Sequence, residues 1–121
     1  MTRQLAAPDG KVAHAEIRIG DSQIMLADEF PAWDALSPQT IGGSPVSIML
    51  YFEDCDAVFN RAIAAGAKVQ QPVQDQFYGD RSGVLVDPFG HKWSISTHKQ
   101  EVPPEEIRKR FAAMCQASGA S

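Results

Sequence analysis

The chain has 121 residues, 44% of them hydrophobic and 21% charged, and a formal net charge of −4. That supports one modest core, so a single domain is expected. Phosphate binding needs concentrated Lys and Arg, and an acidic chain argues against nucleic acid as its main partner.

In chain order, Pro8-Asp9-Gly10 reads as a turn. Lys11–Ile19 then alternates as a strand, with Val12, His14, Glu16 and Arg18 on one face and Ala13, Ala15, Ile17 and Ile19 on the other. Gly20-Asp21 connects it tightly to a second strand, Gln23–Ala27. Asp28–Pro45 is rich in Pro, Gly, Ser and Thr, has little period and reads as a long linker, with Gly42-Gly43 as a hinge. Trp33 stands out in it as a large apolar residue that could cap a core edge or a pocket mouth, and the core edge is the reading preferred.

Val46–Glu53 is a strong strand signal, with Val46, Ile48, Leu50 and Phe52 on one face and Ser47, Met49, Tyr51 and Glu53 on the other. Asp54 then fits an N-cap and Asp56 the first turn of a helix to Ala65, whose apolar side is Val58, Phe59, Ala62 and Ile63. Gly66 suits the left-handed residue after a helix. Ala67–Gln71 reads as a short strand and Pro72–Gly79 as a polar-aromatic loop. Arg81–Val86 and Trp93–Thr97 read as strands flanking Asp87-Pro88-Phe89-Gly90, a type I turn closing a hairpin that His91 is expected to cap.

Pro103-Pro104-Glu105-Glu106 opens a final helix with the stripe Ile107, Phe111 and Met114, and Gln116–Ser121 reads as a frayed tail. Its Arg108-Lys109-Arg110 cluster follows two Glu residues and reads as a solvated face. The helix is short and lacks a strongly basic side, so no membrane partner is expected. Of the two cysteines, Cys55 is expected to be structural. Polar, mixed opening residues and few cysteines give a cytoplasmic expectation.

The strand-helix-strand-strand-strand order from Val46 to Thr97, the Ala64-Ala65-Gly66-Ala67 helix end and the Asp87-Pro88-Phe89-Gly90-His91 hairpin together resemble a module of the glyoxalase/bleomycin-resistance/dioxygenase superfamily, the vicinal-oxygen-chelate fold. His14–Asp21, Ile24–Asp28, Gln74–Arg81 and Asp87–Trp93 resemble more closely its PhnB-like branch. The resemblance implies an α+β fold of paired βαβββ modules around a cupped mixed sheet. Residues 1–45 would be an incomplete first module plus linker, with Thr2–Leu5 the remnant of a strand. Residues 46–98 would be a complete second module, and 99–121 a C-terminal helix and tail. The resemblance implies that the first module's opening strand and helix, roughly the first 30 residues of a typical member, are missing here. A bare edge and apolar surface would then be exposed, unless the start is misplaced or the chain truncated; because members of the fold commonly pair, the resemblance implies a homodimer that supplies the cover.

Family enzymes hold a divalent metal with imidazole and carboxylate side chains, and the resemblance places three of those positions at Met25, Ser47 and Ser94. A thioether and two neutral hydroxyls cannot replace such donors, so no metal or other cofactor is expected. The cup would be lined by Met25, Ser47, Met49, Tyr51, Ser94 and Ser96 and would suit a small organic ligand, with Phe77, Tyr78 and Arg81 of the following loop closing over it. Asp80 would pair with Arg81 or the sheet edge. The alternative is a metal-dependent lyase, isomerase or dioxygenase using His14, Glu16 and His98. Against it, His14 and Glu16 can pair with Arg18 or a cross-strand neighbour, and His98 can sit in solvent. No nucleophile–base pair, phosphate-cradling loop or CxxC motif assigns catalytic residues.

Overall fold

A computed structural model of the chain describes residues 3–117. The backbone divides into two compact units after Gly42. In the first, β1 (Arg3–Ala6), β2 (Val12–Ile19) and β3 (Ser22–Leu26) form an antiparallel sheet in the order β1-β2-β3. Ala7 and Lys11 close the first turn, where Gly10 takes φ 87°. Gly20, at φ 58°, begins a two-residue loop that leaves Ile19 paired with Ser22. The expected strand at residues 2–5 is β1; its Thr2 lies outside the described residues.

The long linker is more ordered than its composition suggests. It holds a 3-10 turn at Pro31–Trp33 and a one-turn helix, α1, at Pro38–Ile41. Glu29 holds the start of α1: its carboxylate accepts the Ser37 N–H at 2.8 Å and the Thr40 hydroxyl at 2.7 Å. Those bonds, Thr40 first, lower the Glu29 pKa from its ordinary value. Trp33 stacks on Phe30 with ring centroids 5.3 Å apart and is 77% exposed, so it does not seal a core edge.

The second unit is a four-stranded mixed sheet in the order β4-β7-β6-β5. β4 (Ser47–Tyr51) runs parallel to β7 (Lys92–His98); β6 (Asp80–Val86) is antiparallel to β7 and to β5 (Lys68–Asp75). Between β4 and β5 comes α2 (Cys55–Ala64), capped by Asp54, whose side chain accepts the Ala57 N–H. Gly66 follows at φ 114°. Helix α3 spans Pro104–Ala117, so Gln116 and Ala117 are helical, and residues 118–121 lie outside the described part.

Most strand ends differ from the sequence reading by one or two residues, and the end of β5 differs most. β5 continues through Pro72 and Val73 to Asp75, where a loop was expected. It is the sheet's edge strand, where a missing N–H goes unmissed, and its register shifts on both sides of Gln71 absorb the irregularity. β6 starts at Asp80 rather than Arg81.

Apolar burial holds α2 on the sheet: Cys55 and Phe59 pack with Leu85 and Ile95, and Leu50, Phe52, Val73 and Trp93 border them. Cys55 is 1% exposed, and its N–H donates to Thr97 Oγ1 at 2.9 Å. The hairpin between β6 and β7 is held by Asp87. Its side chain accepts the Phe89 and His91 N–H groups and the Trp93 indole N–H. Asp87 supplies those cap bonds, where His91 was expected to do so.

Gly83 lies under Phe59. A Cβ there would sit 2.6 Å from the Phe59 ring and 3.0 Å from the Val73 nitrogen. Gly83→Ala should therefore destabilise the chain by about 1–3 kcal/mol through overpacking. Chemical denaturation checks it, and an unchanged midpoint would show that α2 does not press on the sheet there.

Candidate functional site

Side chains on a strand alternate, so packing one face against α2 commits the other face to different residues. Ile48, Leu50, Trp93, Ile95, Arg81, Gly83 and Leu85 belong to the α2 side. Opposite them, in register, stand Met49 beside Ser94, Tyr51 beside Ser96, and Ser82 and Val84 across from Ser96 and Ser94. Ser82, Ser94 and Ser96 are buried, whereas Met49 and Tyr51 are about half exposed.

A polar chain crosses this face. Tyr51 Oη donates to Asp80 Oδ2 at 2.8 Å. The other Asp80 oxygen lies 2.9 Å from His98 Nδ1, and His98 Nε2 lies 3.1 Å from Glu101 Oε1. Asp80 is 5% exposed, so it is a buried carboxylate satisfied from two sides. The Asp80 bond, then that of Glu101, raises the His98 pKa above the ordinary histidine value. The Tyr51 phenol is also raised, first by its bond to Asp80 and then by burial. Strands lie about 4.8 Å apart, so a side chain rooted on β4 must cross β7 to reach Asp80 on β6. The Tyr51 ring therefore runs over the stretch from Ser96 to His98.

Ser47, Met49, Tyr51, Ser94 and Ser96 lie on one face of the second unit. Met25 lies in β3 of the first unit and is 66% exposed. Arg81 is part of β6, not of a loop. Its guanidinium binds Asp56 at 2.8 Å and Asp75 at 3.2 Å on the α2 side, lowering the Asp56 pKa. Strand alternation explains this, since Asp80 and Ser82 take the other side. Phe77 and Tyr78 make an edge-on ring pair 5.1 Å apart. Phe77 also meets Phe111 of α3, 5.7 Å away, and its carbonyl accepts from Arg110. An open pocket of about 490 Å³ at the β6 start is lined by Gln76, Gly79, Arg81, Lys99 and Gln100 among others, and is largely polar.

Asp80 with Tyr51 and His98 was not foreseen as a set. The hairpin carries the missing signal: Asp87 and His91 flank the turn, Val86 then pairs with Lys92, and counting back in step pairs Asp80 with His98.

The metal implied by the fold does not fit the residues present. Ser47 and Ser94 are neutral hydroxyls and Met25 a thioether. Of the alternative set, His14 Nε2 contacts Glu16 Oε1 at 3.2 Å within the first unit, while His98 of the second is engaged by Asp80 and Glu101. Among the described residues no group of three or more His, Cys, Asp or Glu is arranged to hold a metal ion.

This α+β architecture, a helix over one face of a mixed βαβββ sheet, is that of the glyoxalase-like proteins. Residues 1–95 match the sequence profile of the Glyoxalase/Bleomycin resistance protein/Dioxygenase superfamily, and the chain belongs to it. It is 44% identical over 113 residues to an uncharacterized protein of Mycobacterium bovis, covering 91% of this chain and 74% of that protein. An uncharacterized protein of Mycobacterium tuberculosis shows the same identity over the same length, covering 91% of this chain and 66% of that one. The crystal structure of protein PA1353 from Pseudomonas aeruginosa superposes with a TM-score of 0.61 at 24% identity, over 82% of this chain and 73% of that chain; it shares the fold.

His98 gives the site a pH signature. With its folded pKa raised, the native state keeps a proton that the unfolded chain loses above about pH 6.5. The stabilisation is complete below that value and falls away as pH rises through the folded pKa. At low salt, unfolding free energy should decline over that window in the wild type, and His98→Gln should flatten the decline. An NMR titration placing His98 at the ordinary histidine value would refute the pairing.

Proposed function

We propose that the chain binds a small organic molecule on the β4-β7-β6 face opposite α2, without the metal of the family's enzymes. The observation carrying this reading is the lining: Met49 and Val84 supply apolar surface, and Ser94, Ser96 and Tyr51 supply hydroxyls beside it. Ligand sites combine such surface with a few placed polar groups. We also read the chain as a PhnB-like member, on the four runs from His14 to Trp93 given above. Two thiols not joined to each other suit a reducing, cytoplasmic setting. Among the described residues no helix is long and apolar enough to cross a membrane.

A panel of neutral aromatic fragments, followed by amide NMR, tests the site. Shifts should gather at Met49, Tyr51, Ser94 and Ser96, with or without added divalent metal. Met49→Glu places a charge on the half-exposed apolar lining and should weaken the best fragment at least about tenfold, about 1.4 kcal/mol, while leaving folding intact. Shifts confined to other surfaces, or binding that requires metal, would remove this reading.

The partner is read as a second copy. Leu5, Met25, Ile41, Val46, Phe111 and Met114 are large apolar side chains between 49% and 67% exposed, more than a small monomer usually shows. Sedimentation should give about twice the 13.2 kDa chain mass. A single-chain mass across micromolar concentrations would rule this out.

A further inference from the structure

Ser96 is 0% exposed, yet its hydroxyl has no hydrogen-bond partner. Buried polar groups are nearly always paired, because an unpaired one forfeits its water without replacement. The Tyr51 phenol that crosses β7 explains the burial. Its root stands in register with Ser96, and its far end bonds Asp80 at 2.8 Å, which draws the ring across β7. Tyr51 itself is 55% exposed, so solvent lies on the other side of the bar. The unmet group is a hydroxyl, and its O–H, the one proton it can donate, has no acceptor. Little free charge surrounds it: Asp80 faces His98, Glu101 lies outward at the far side of His98, and Ser82, Ser94, Met49 and Val84 are neutral.

We infer that Ser96 is the recognition point of a gated site for a flat, uncharged molecule bearing a carbonyl oxygen, with Tyr51 as the bar that leaves Asp80 to admit it. The inference rests on the small-molecule reading above and adds the polar group and the gate. The carbonyl accepts the Ser96 proton, and the ring of the ligand lies on Met49 and Val84. Beside Ser96 itself a charged ligand meets no free counter-charge, since Asp80 and His98 are bonded to each other and Lys92, on the same face, stands four residues along β7 next to Ser47 and Val86.

Acetophenone and ethylbenzene test this directly, because they match in shape and differ in the carbonyl. Each is titrated by amide NMR into the wild-type chain, Tyr51→Phe and Ser96→Ala. Tyr51→Phe cannot bond Asp80, and should bind acetophenone about tenfold more tightly than wild type, the equivalent of one bond to a charged group. In that variant acetophenone should outbind ethylbenzene. Adding Ser96→Ala to Tyr51→Phe should abolish the preference. Equal binding of both probes to this face in Tyr51→Phe overturns the inference and leaves the small-molecule reading standing. Absence of any shift on this face with either probe, in every variant, overturns both. Should Tyr51→Phe not fold, Asp80→Asn weakens the same bar, and the acetophenone preference is read there by the same criteria.

Discussion

The packing of α2 on one side of the mixed sheet is the constraint on which the rest depends. Phe59 and Cys55 need Leu85 and Ile95 beneath them, and Gly83 exists as glycine because the Phe59 ring comes so close. Strand side chains alternate, so that single apolar contact decides both faces at once. Ile95 facing the helix obliges Ser94 and Ser96 to face away. Arg81 reaching Asp56 obliges Asp80 to face away. The candidate site is the complement of the core.

On that complementary face the organising group is a buried acid. Asp80 is satisfied by a phenol from two strands away and by the imidazole across from it. Each partner is shifted toward holding its proton, as expected beside a carboxylate. The same arrangement draws the Tyr51 ring across β7. Polar satisfaction at Asp80 is thus coupled to the covering of Ser96, whose own hydroxyl goes without a partner. Beside the acid, Ser82, Ser94 and Ser96 are neutral hydroxyls, and Met49 and Val84 are apolar.

Much of the architecture was legible locally. Helix α2 announced itself through Asp54, an apolar stripe and Gly66, and the hairpin through Asp87, Pro88 and Gly90. β5 was cut short because Pro72 is a valid breaker in a central strand, and nothing local says that a strand lies at an edge. The linker was read as irregular because its order comes from Glu29 reaching forward to Ser37 and Thr40, contacts eight and more residues apart. Arg81 sits where the expected Gln74–Arg81 loop meets the expected Arg81–Val86 strand, and only the pairing of β6 with β7 puts it on the helix side.

Period and turn chemistry determined the element types, the βαβββ order of the second unit, and the hydroxyl character of the row at 47, 94 and 96. Those are short-range properties, written in spacing and in the backbone preferences of Gly, Pro and Asp. Only the tertiary structure decided that Tyr51, Asp80 and His98 meet, that Ser96 is buried with its hydroxyl unpaired, and that Arg81 belongs to the helix side. Those pairings join residues 18 to 45 positions apart along the chain, and they depend on strand order and register, which follow from how the whole sheet packs against α2.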